Sequence, residues 1–377
     1  MINKDVKSPL VLICTNSTWS IFNFRLGLIM ALQNRGFIVY ALSPSDEYVE
    51  RLQSIGVRHF HIDIDPKGTN PIKDLKLLRS FKEKYLQICP DVVLNYTIKP
   101  NIYSPLAASK LEIPVINNIS GLGTLFITNS VFTIIAKLLY RFSLAKTTHT
   151  FFQNNDDASL FKESGLIAGN KFSIIPGSGV DVEKFKVERN TNKGLVFLFV
   201  GRLIADKGIR EYVEAVKKII PEYGNIKFRI VGEIQSKNRT ALDEQEFFAL
   251  ISKYPQIEYI GKTDDIISVL KNADVLVLPS YREGLSKSLI EACAMSLPII
   301  TTNVAGCRDV VTDGLNGLLC DVQNVGSLES SIREMISFSE QKRLELGKNG
   351  RMIAEKYFSE EFVIQAYLDT IEDVLAS

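Results

Sequence analysis

Short runs of β-branched and aliphatic residues alternate with longer amphipathic segments along the whole chain, and this alternation restricts the possible folds more than any other feature. Apolar runs of about five residues, each followed by a helical period, mark strand-helix-strand units built on a parallel sheet. A first series of strands is expected at Leu10–Cys14, Phe37–Leu42, Val57–Ile62, Val92–Tyr96 and Pro114–Ile119, with an amphipathic helix over Phe22–Arg35. A second series is expected at Leu195–Val200, Lys227–Val231, Ile257–Ile260, Asp274–Pro279 and Pro298–Thr301, ending near Leu318 and Leu319. The class is α/β, with two successive doubly wound units. The 377 residues exceed the roughly 250 to 300 that one core usually serves, which gives the same count.

Between the two series, Pro176, Gly177 and Gly179 interrupt regular structure and the stretch from Glu188 to Gly194 is polar, so a hinge is expected near 177–194. The domains then run over 1–180 and 195–357. No residue-level repeat relates them. The last segment, Glu360 to Leu375, places Phe362, Val363, Tyr367, Ile371 and Leu375 at helical spacing and should pack on a neighbour. A net charge of +1 gives no argument for nucleic acid. The five cysteines have neither metal-ligand nor redox spacing and are odd in number, as expected of core residues in a reducing compartment. The start lacks a cleavage-site pattern, and no run approaches the roughly 18 to 20 apolar residues that span a bilayer. The expected location is cytoplasmic, with peripheral contact at the inner face of a cell membrane.

Open parallel sheets bind ligands beyond the carboxyl ends of their strands. After the strand ending at Val200 comes GRLIADKG, where Arg202 and Lys207 offer a guanidinium fork and an ammonium beside a helix start, a diphosphate clamp. A solvated loop with two surface cations explains them equally. After the strand ending at Pro279 comes SYREGLSKSLIEA, where Gly284 permits close backbone approach and a helix should start near Ser286, leaving first-turn amides for an anion. Glu291 then lies roughly 7 to 8 Å along that helix, within reach of ribose hydroxyls, while Glu283 stays in the loop. The plainer alternative has Glu283 on the helix dipole and Glu291 in a surface ion pair. A third place, from Ile260 to Ile266, could wrap a base with backbone groups, or be a turn with an N-cap at Thr263 or Asp264.

Other motifs fail. No dinucleotide or P-loop glycine pattern follows a strand, and Gly121-Leu122-Gly123 is too short to serve as one. Asp63-Ile64-Asp65 reads as turn chemistry rather than a metal site. His59, His61 and His149 are isolated and read as structural or surface residues.

Taken together, Gly201-Arg202, Lys207-Gly208 and the Glu283/Glu291 pair resemble the family-four retaining glycosyltransferases. PGSGVD at 176–181, NYTIKPNIYSPLAA at 95–108 and NNISGLG at 117–123 resemble the bacterial capsule and lipid-linked oligosaccharide members. The resemblance implies a GT-B fold, two Rossmann-like domains facing a central cleft, with the donor on the second, the acceptor on the first and no cofactor or catalytic metal. By motif, Arg202 and Lys207 would bind a diphosphate. Gly284, Leu285, Ser286, Lys287, Gly261 and Ile266 would line the donor, Glu291 would hold the ribose and Glu283 would touch the transferred sugar. On the acceptor side the matching positions are Trp19, Lys99, Asn118, Ser120 and Gly121. Where many relatives carry a histidine, this chain has Asn117, Asn118 and Ser120. The final helix, from about 358 to 377, would cross back to the first domain.

The implied partners are a UDP-sugar and a polyprenyl-diphosphate-linked sugar acceptor. The segment VFTIIAKLLYRFSLAK (131–146) combines an apolar face with Lys137, Arg141 and Lys146, which suits either an anionic membrane surface or a core helix with snorkelling cations. A nucleotide-sugar epimerase and a noncatalytic nucleotide-sugar sensor remain as other classes.

Overall fold

The computed structural model describes residues 8–65, 68, 70–121, 131–167, 171–186, 194–234 and 243–376. The chain divides into one unit of residues 1–178 and 361–377 and a second of residues 179–360.

The first unit carries a seven-stranded sheet in the order β3-β2-β1-β4-β5-β6-β7, with every pairing parallel. Its strands are β1 (Leu10–Cys14), β2 (Ile38–Ser43), β3 (Arg58–His61), β4 (Val92–Tyr96), β5 (Val115–Ile119), β6 (His149–Phe152) and β7 (Phe172–Ile174). Between them run α1 (Thr18–Asn34), α2 (Val49–Ser54), α3 (Pro71–Ile88), α4 (Ile98–Ala108), α5 (Val131–Leu144) and α6 (Asn155–Glu163). All five residues of β1, β4 and β5 are buried, as strands covered on both faces require, with Asn95, Asn117 and Asn118 among them. Alternate residues divide between two cores. Leu12, Cys14 and Val93 join Phe81, Tyr85 and Phe161 on one face, while Val11, Ile13 and Val92 join Ile21, Leu28 and Tyr367 on the other.

The second unit has a six-stranded parallel sheet in the order β10-β9-β8-β11-β12-β13. Its strands are β8 (Val196–Val200), β9 (Lys227–Val231), β10 (Ile257–Gly261), β11 (Val275–Leu278), β12 (Ile299–Thr302) and β13 (Gly317–Cys320). Its helices are α7 (Ile209–Ile219), α8 (Glu244–Ile251), α9 (Ile266–Lys271), α10 (Lys287–Ala294), α11 (Val325–Ser337) and α12 (Glu340–Tyr357). Both sheets reverse strand order at their first strand, β1 and β8, the switch point beside which doubly wound folds bind ligands.

Several expectations change. α1 starts at Thr18, a turn earlier than the apolar pattern, because the Ser17 side chain accepts from the backbone of Ser20. The strands β6 and β7 are not in the predicted series, being only four and three residues long. Residues 179–186, read as hinge, belong to the second unit: Val180 bridges Ser359, and Phe185 is buried in that unit's core. Residues 187–193 of the expected hinge, and 122–130 after β5, lie outside the described residues. The final helix α13 (Glu360–Ala376) buries Val363, Tyr367, Leu368 and Ile371 in the first unit, while Phe362 is exposed. Of the cysteines, Cys14, Cys293, Cys307 and Cys320 are core residues; Cys89 is exposed and ends α3 in a left-handed conformation.

Candidate active site

The loops leaving β8, β11 and β12 interlock. After β8 the chain makes a 3-10 turn, Ala205–Lys207, and enters α7 through Gly208, whose φ is 70°. A Cβ at Gly208 would lie 2.0 Å from the carbonyl oxygen of Pro279, so glycine alone lets this loop lie against the end of β11. The Tyr281 amide donates to the Asp206 carbonyl at 2.9 Å and fixes the two loops in register. From the other side, the Glu283 amide donates to the Ala305 carbonyl at 3.1 Å. Gly306 takes φ 76°, where a Cβ would come within 2.5 Å of the Glu283 carbonyl oxygen.

This packing brings Lys207 to Glu283. The ammonium of Lys207 donates to Oε1 of Glu283, and the hydroxyl of Ser280 donates to the same oxygen at 2.7 Å. Only 19% of the lysine side chain and 11% of the glutamate side chain are accessible, so the contact is better shielded from solvent than a surface pair. Ser280 is itself fully buried, and its carbonyl accepts from the Thr302 hydroxyl. The plainer alternative, Glu283 resting on the helix dipole, does not describe this carboxylate. Arg202 is exposed on the same loop. Burial raises the pKa of the Asp206 carboxyl, and the charges of Arg202 and Lys207 pull it back.

α10 starts where the sequence predicts it. Ser286 is the N-cap, and its side chain makes no cap hydrogen bond; first-turn amides are the groups a helix start offers to an anion. The Ser286 hydroxyl lies 3.2 Å from that of Ser288. Gly284 is buried and Leu285 packs at the edge of the core. Glu291 is the fifth residue of the helix. Its side chain is 12% exposed and lies 3.9 Å from Lys287, whose ammonium also donates to the Gly179 carbonyl at 2.6 Å. Burial raises the Glu291 carboxyl to about 7, against the lowering charges of Lys287 and Lys184. It is therefore not the surface ion pair of the plainer reading. Gly261 has φ 83°, and a Cβ there would meet nothing within 4 Å, which leaves its backbone open on one side. Ile266 opens α9 and packs against the core. The N-cap of that helix is Asp265, which accepts from the Ser268 amide at 3.0 Å; the expected Thr263 and Asp264 do not hold the position.

In the first unit the acceptor-side residues divide. Ser120 is exposed and Gly121 follows it with φ 110°. Trp19 is partly exposed, with its ring edge-on to Phe24 at 5.2 Å and its amide bonded to Asp46. Lys99 is tied to Asp74 at 2.6 Å, and both side chains are largely covered. Asn118 corrects the expectation. It is fully buried, its amide nitrogen donates to the Tyr367 hydroxyl at 2.8 Å, and its oxygen accepts from Gln153 at 3.1 Å. The neighbouring Asn117 accepts from Asn95 and donates to the Asn101 carbonyl, each at 2.9 Å. These amides hold the interior together rather than facing a ligand.

The histidines are structural: His59 bonds to Ser43, His61 to Ser45 and Asp63, and His149 to Ser173. Asp65 accepts from the Gly68 amide in a turn. Sequence reasoning missed Ser280, Thr302 and the Ala305–Gly306 clamp. Position after a strand was the available signal for Ser280.

Comparison with known proteins supplies the class. Residues 11–154 match the family described as Glycosyl transferase 4-like, and residues 181–352 match Glycosyl transferases group 1. The chain is a glycosyltransferase of the GT-B fold. The 4-like match falls on the first unit and the group 1 match on the second. It is 28% identical to the N,N'-diacetylbacillosaminyl-diphospho-undecaprenol alpha-1,3-N-acetylgalactosaminyltransferase of Campylobacter jejuni, over 94% of this chain and 96% of that one. It is also 28% identical to the UDP-Gal:alpha-D-GlcNAc-diphosphoundecaprenol alpha-1,3-galactosyltransferase of Escherichia coli, over 78% of each. Among solved structures, Anabaena HepE in complex with UDP and glucose superposes with a TM-score of 0.76 at 15% identity, covering 96% of this chain and 99% of that one.

Proposed function

We propose that this glycosyltransferase moves a hexose or N-acetylhexosamine from a UDP-sugar to a lipid-linked saccharide, with retention of configuration and without a catalytic metal, in surface polysaccharide or glycan assembly. The observation that carries the reading is the contact between Lys207 and Glu283, which joins two motifs lying 76 residues apart. Lys207 and Arg202, with the first-turn amides of α10, would bind the diphosphate, and Glu291 would accept from the ribose hydroxyls. Glu283, with Oε1 already held by Lys207 and Ser280, would accept a hydroxyl of the transferred sugar.

In the reaction the bond from the anomeric carbon to the diphosphate oxygen breaks as the bond to the acceptor oxygen forms. The acceptor proton passes to the departing phosphate oxygen, leaving UDP and the extended acceptor. Negative charge grows on the leaving group, so the lysine, the arginine and the helix amides act more strongly in the transition state than before it. Glu283 is placed as a hydrogen-bond partner within a lysine contact, which suits same-face substitution better than attack by the carboxylate. The donor base and the lipid acceptor are supported by the relatives named with UDP-galactose and undecaprenyl diphosphate and by the UDP-bound neighbour. We place the reaction on the cytoplasmic side of the membrane that holds such a lipid.

A donor screen followed by transfer to a polyprenyl-diphosphate-linked N-acetylhexosamine tests the reading. A UDP-sugar should raise the melting temperature, and product should form only when acceptor is present. Conversion of the donor without acceptor would instead identify an epimerase, and binding without turnover a sensor.

A further inference from the structure

We propose that Arg25 forms, with Thr97 and the first turn of α4, a phosphate-binding site at the switch point of the first sheet. Arg25 is one of the residues that α1 buries, and only 7% of it is accessible. Its guanidinium stacks over the Tyr96 ring, 4.0 Å from the centroid. Tyr96 ends β4, the neighbour of β1, so the charge stands at the carboxyl end of the sheet where strand order reverses. The ring occupies the face of the guanidinium. Its edge is unused: among the described residues no carboxylate, carbonyl or hydroxyl accepts from Arg25. A guanidinium does not lose its proton in a protein, and a buried charge without a counter-ion is costly. A strut against Tyr96 would need only an apolar chain of this length. The planar fork of N–H donors fits two oxygens of a phosphate.

The residues after Tyr96 supply the rest of the site. Thr97 holds φ 69° and ψ 162°, a region otherwise left to glycine. Its hydroxyl oxygen is buried without a hydrogen-bond partner, although Thr97 is the N-cap of α4 and such a hydroxyl ordinarily bonds the amides of its own helix. α4 then opens with Ile98, Lys99 and Pro100. The first two bring first-turn amides, and the proline has no N–H to leave unmet. Lys99 is already bound to Asp74, so the selection of an anion falls to Arg25. The anion is assigned as the diphosphate of the acceptor, which the first unit would then hold by phosphate as well as by sugar. That assignment rests on the function proposed above; the phosphate site itself rests on Arg25 and Thr97.

The test compares two water-soluble acceptors with the same saccharide, one on a short alkyl diphosphate and one on a neutral alkyl glycoside. The parent should use the diphosphate with a KM roughly a hundredfold lower. Arg25→Met keeps the length and the packing on Tyr96. It should raise the KM for the diphosphate to that of the glycoside, with kcat, the KM for the UDP-sugar and the reaction of the glycoside unchanged. Arg25→Lys keeps the charge without the fork and should retain roughly a tenfold preference. If Arg25→Met does not fold, Thr97→Gly, which suits the backbone and removes the hydroxyl, should lower the preference roughly tenfold. Equal losses on both acceptors would mean a structural arginine and overturn the inference, as would a parent without the preference. A second arm needs no transfer: inorganic pyrophosphate, added to the full chain at saturating UDP, should raise the Tm of the parent and not of Arg25→Met. That shift without any acceptor preference would assign the site to a free phosphate and overturn the acceptor assignment. Transfer with neither the preference nor the shift would defeat this inference alone, and the Arg25-dependent shift in a chain that transfers no sugar would defeat only the proposed function.

Discussion

The carboxyl edges of the two sheets are built on the same topology and filled in opposite ways. At the edge of the second unit the polar residues are charged: Lys207 against Glu283, and Glu291 held among cations with its carboxyl raised to about 7. The buried polar side chains of β4 and β5 in the first unit are neutral. Asn95, Asn101, Asn117, Asn118, Gln153 and Tyr367 form a buried chain of hydrogen bonds. A neutral hydrogen-bonded network of this kind fixes one packing. Buried charges held in small groups keep an electrostatic field that a charged ligand can use. β5 is buried through Ile119, and exposure begins at Ser120.

Substitutions at the two edges should therefore fail in different ways. The largest effect on stability is expected in the first unit. Asn117→Leu leaves the Asn95 amide without its acceptor in a fully buried site and removes one donor to the Asn101 carbonyl. It should cost about 4 kcal/mol of unfolding free energy in urea, while the folded fraction keeps its affinity for UDP. A change below about 1 kcal/mol would mean that the network is not structural.

Glu291→Gln should do the reverse. A carboxyl raised from 4.5 to about 7 by burial holds its proton in the folded chain at pH values where the unfolded chain has lost it. Its contribution to stability therefore falls as pH rises from about 4.5 to about 7. The glutamine variant should be more stable than the parent at pH 8, by up to about 3 kcal/mol, and lose that advantage at pH 4 while binding UDP more weakly at neutral pH. Melting curves at the two pH values check it. An advantage that is the same at both would exclude titration of Glu291 as its source.

The smallest expected effect is that of Ser280→Ala, which removes one of the two donors to Glu283 Oε1. Turnover should fall roughly tenfold with the affinity for UDP unchanged. An equal loss in both would point to a displaced loop instead.

Much of this architecture was legible in the sequence. β1 and β4 begin and end where the sequence places them, because a strand buried on both faces tolerates few polar residues; β9 does so too, although Lys227 is exposed and Arg229 half-buried. The start of α10 was legible from Gly284 and Ser286. What could not be read depends on distant pairing. Asn118 meets Tyr367 across 249 residues, so an asparagine at a strand end gave no sign that its side chain was already committed inside the unit. Ser280 gained its role from the loop of Lys207, and the clamp at Gly306 from a loop after another strand. Local pattern shows which edge a residue stands on; the partners that decide its chemistry come from elsewhere in the chain.

The central claim is that Glu283, held by Lys207 and Ser280, acts on the transferred sugar rather than in the fold. Steady-state transfer by Glu283→Ala at saturating UDP-sugar and acceptor tests it most directly, alongside its melting temperature and UDP affinity. The expected result is a fall in kcat of roughly a thousandfold or more, with UDP bound within a few-fold of the parent and the fold retained. An unchanged kcat in a folded variant would contradict it.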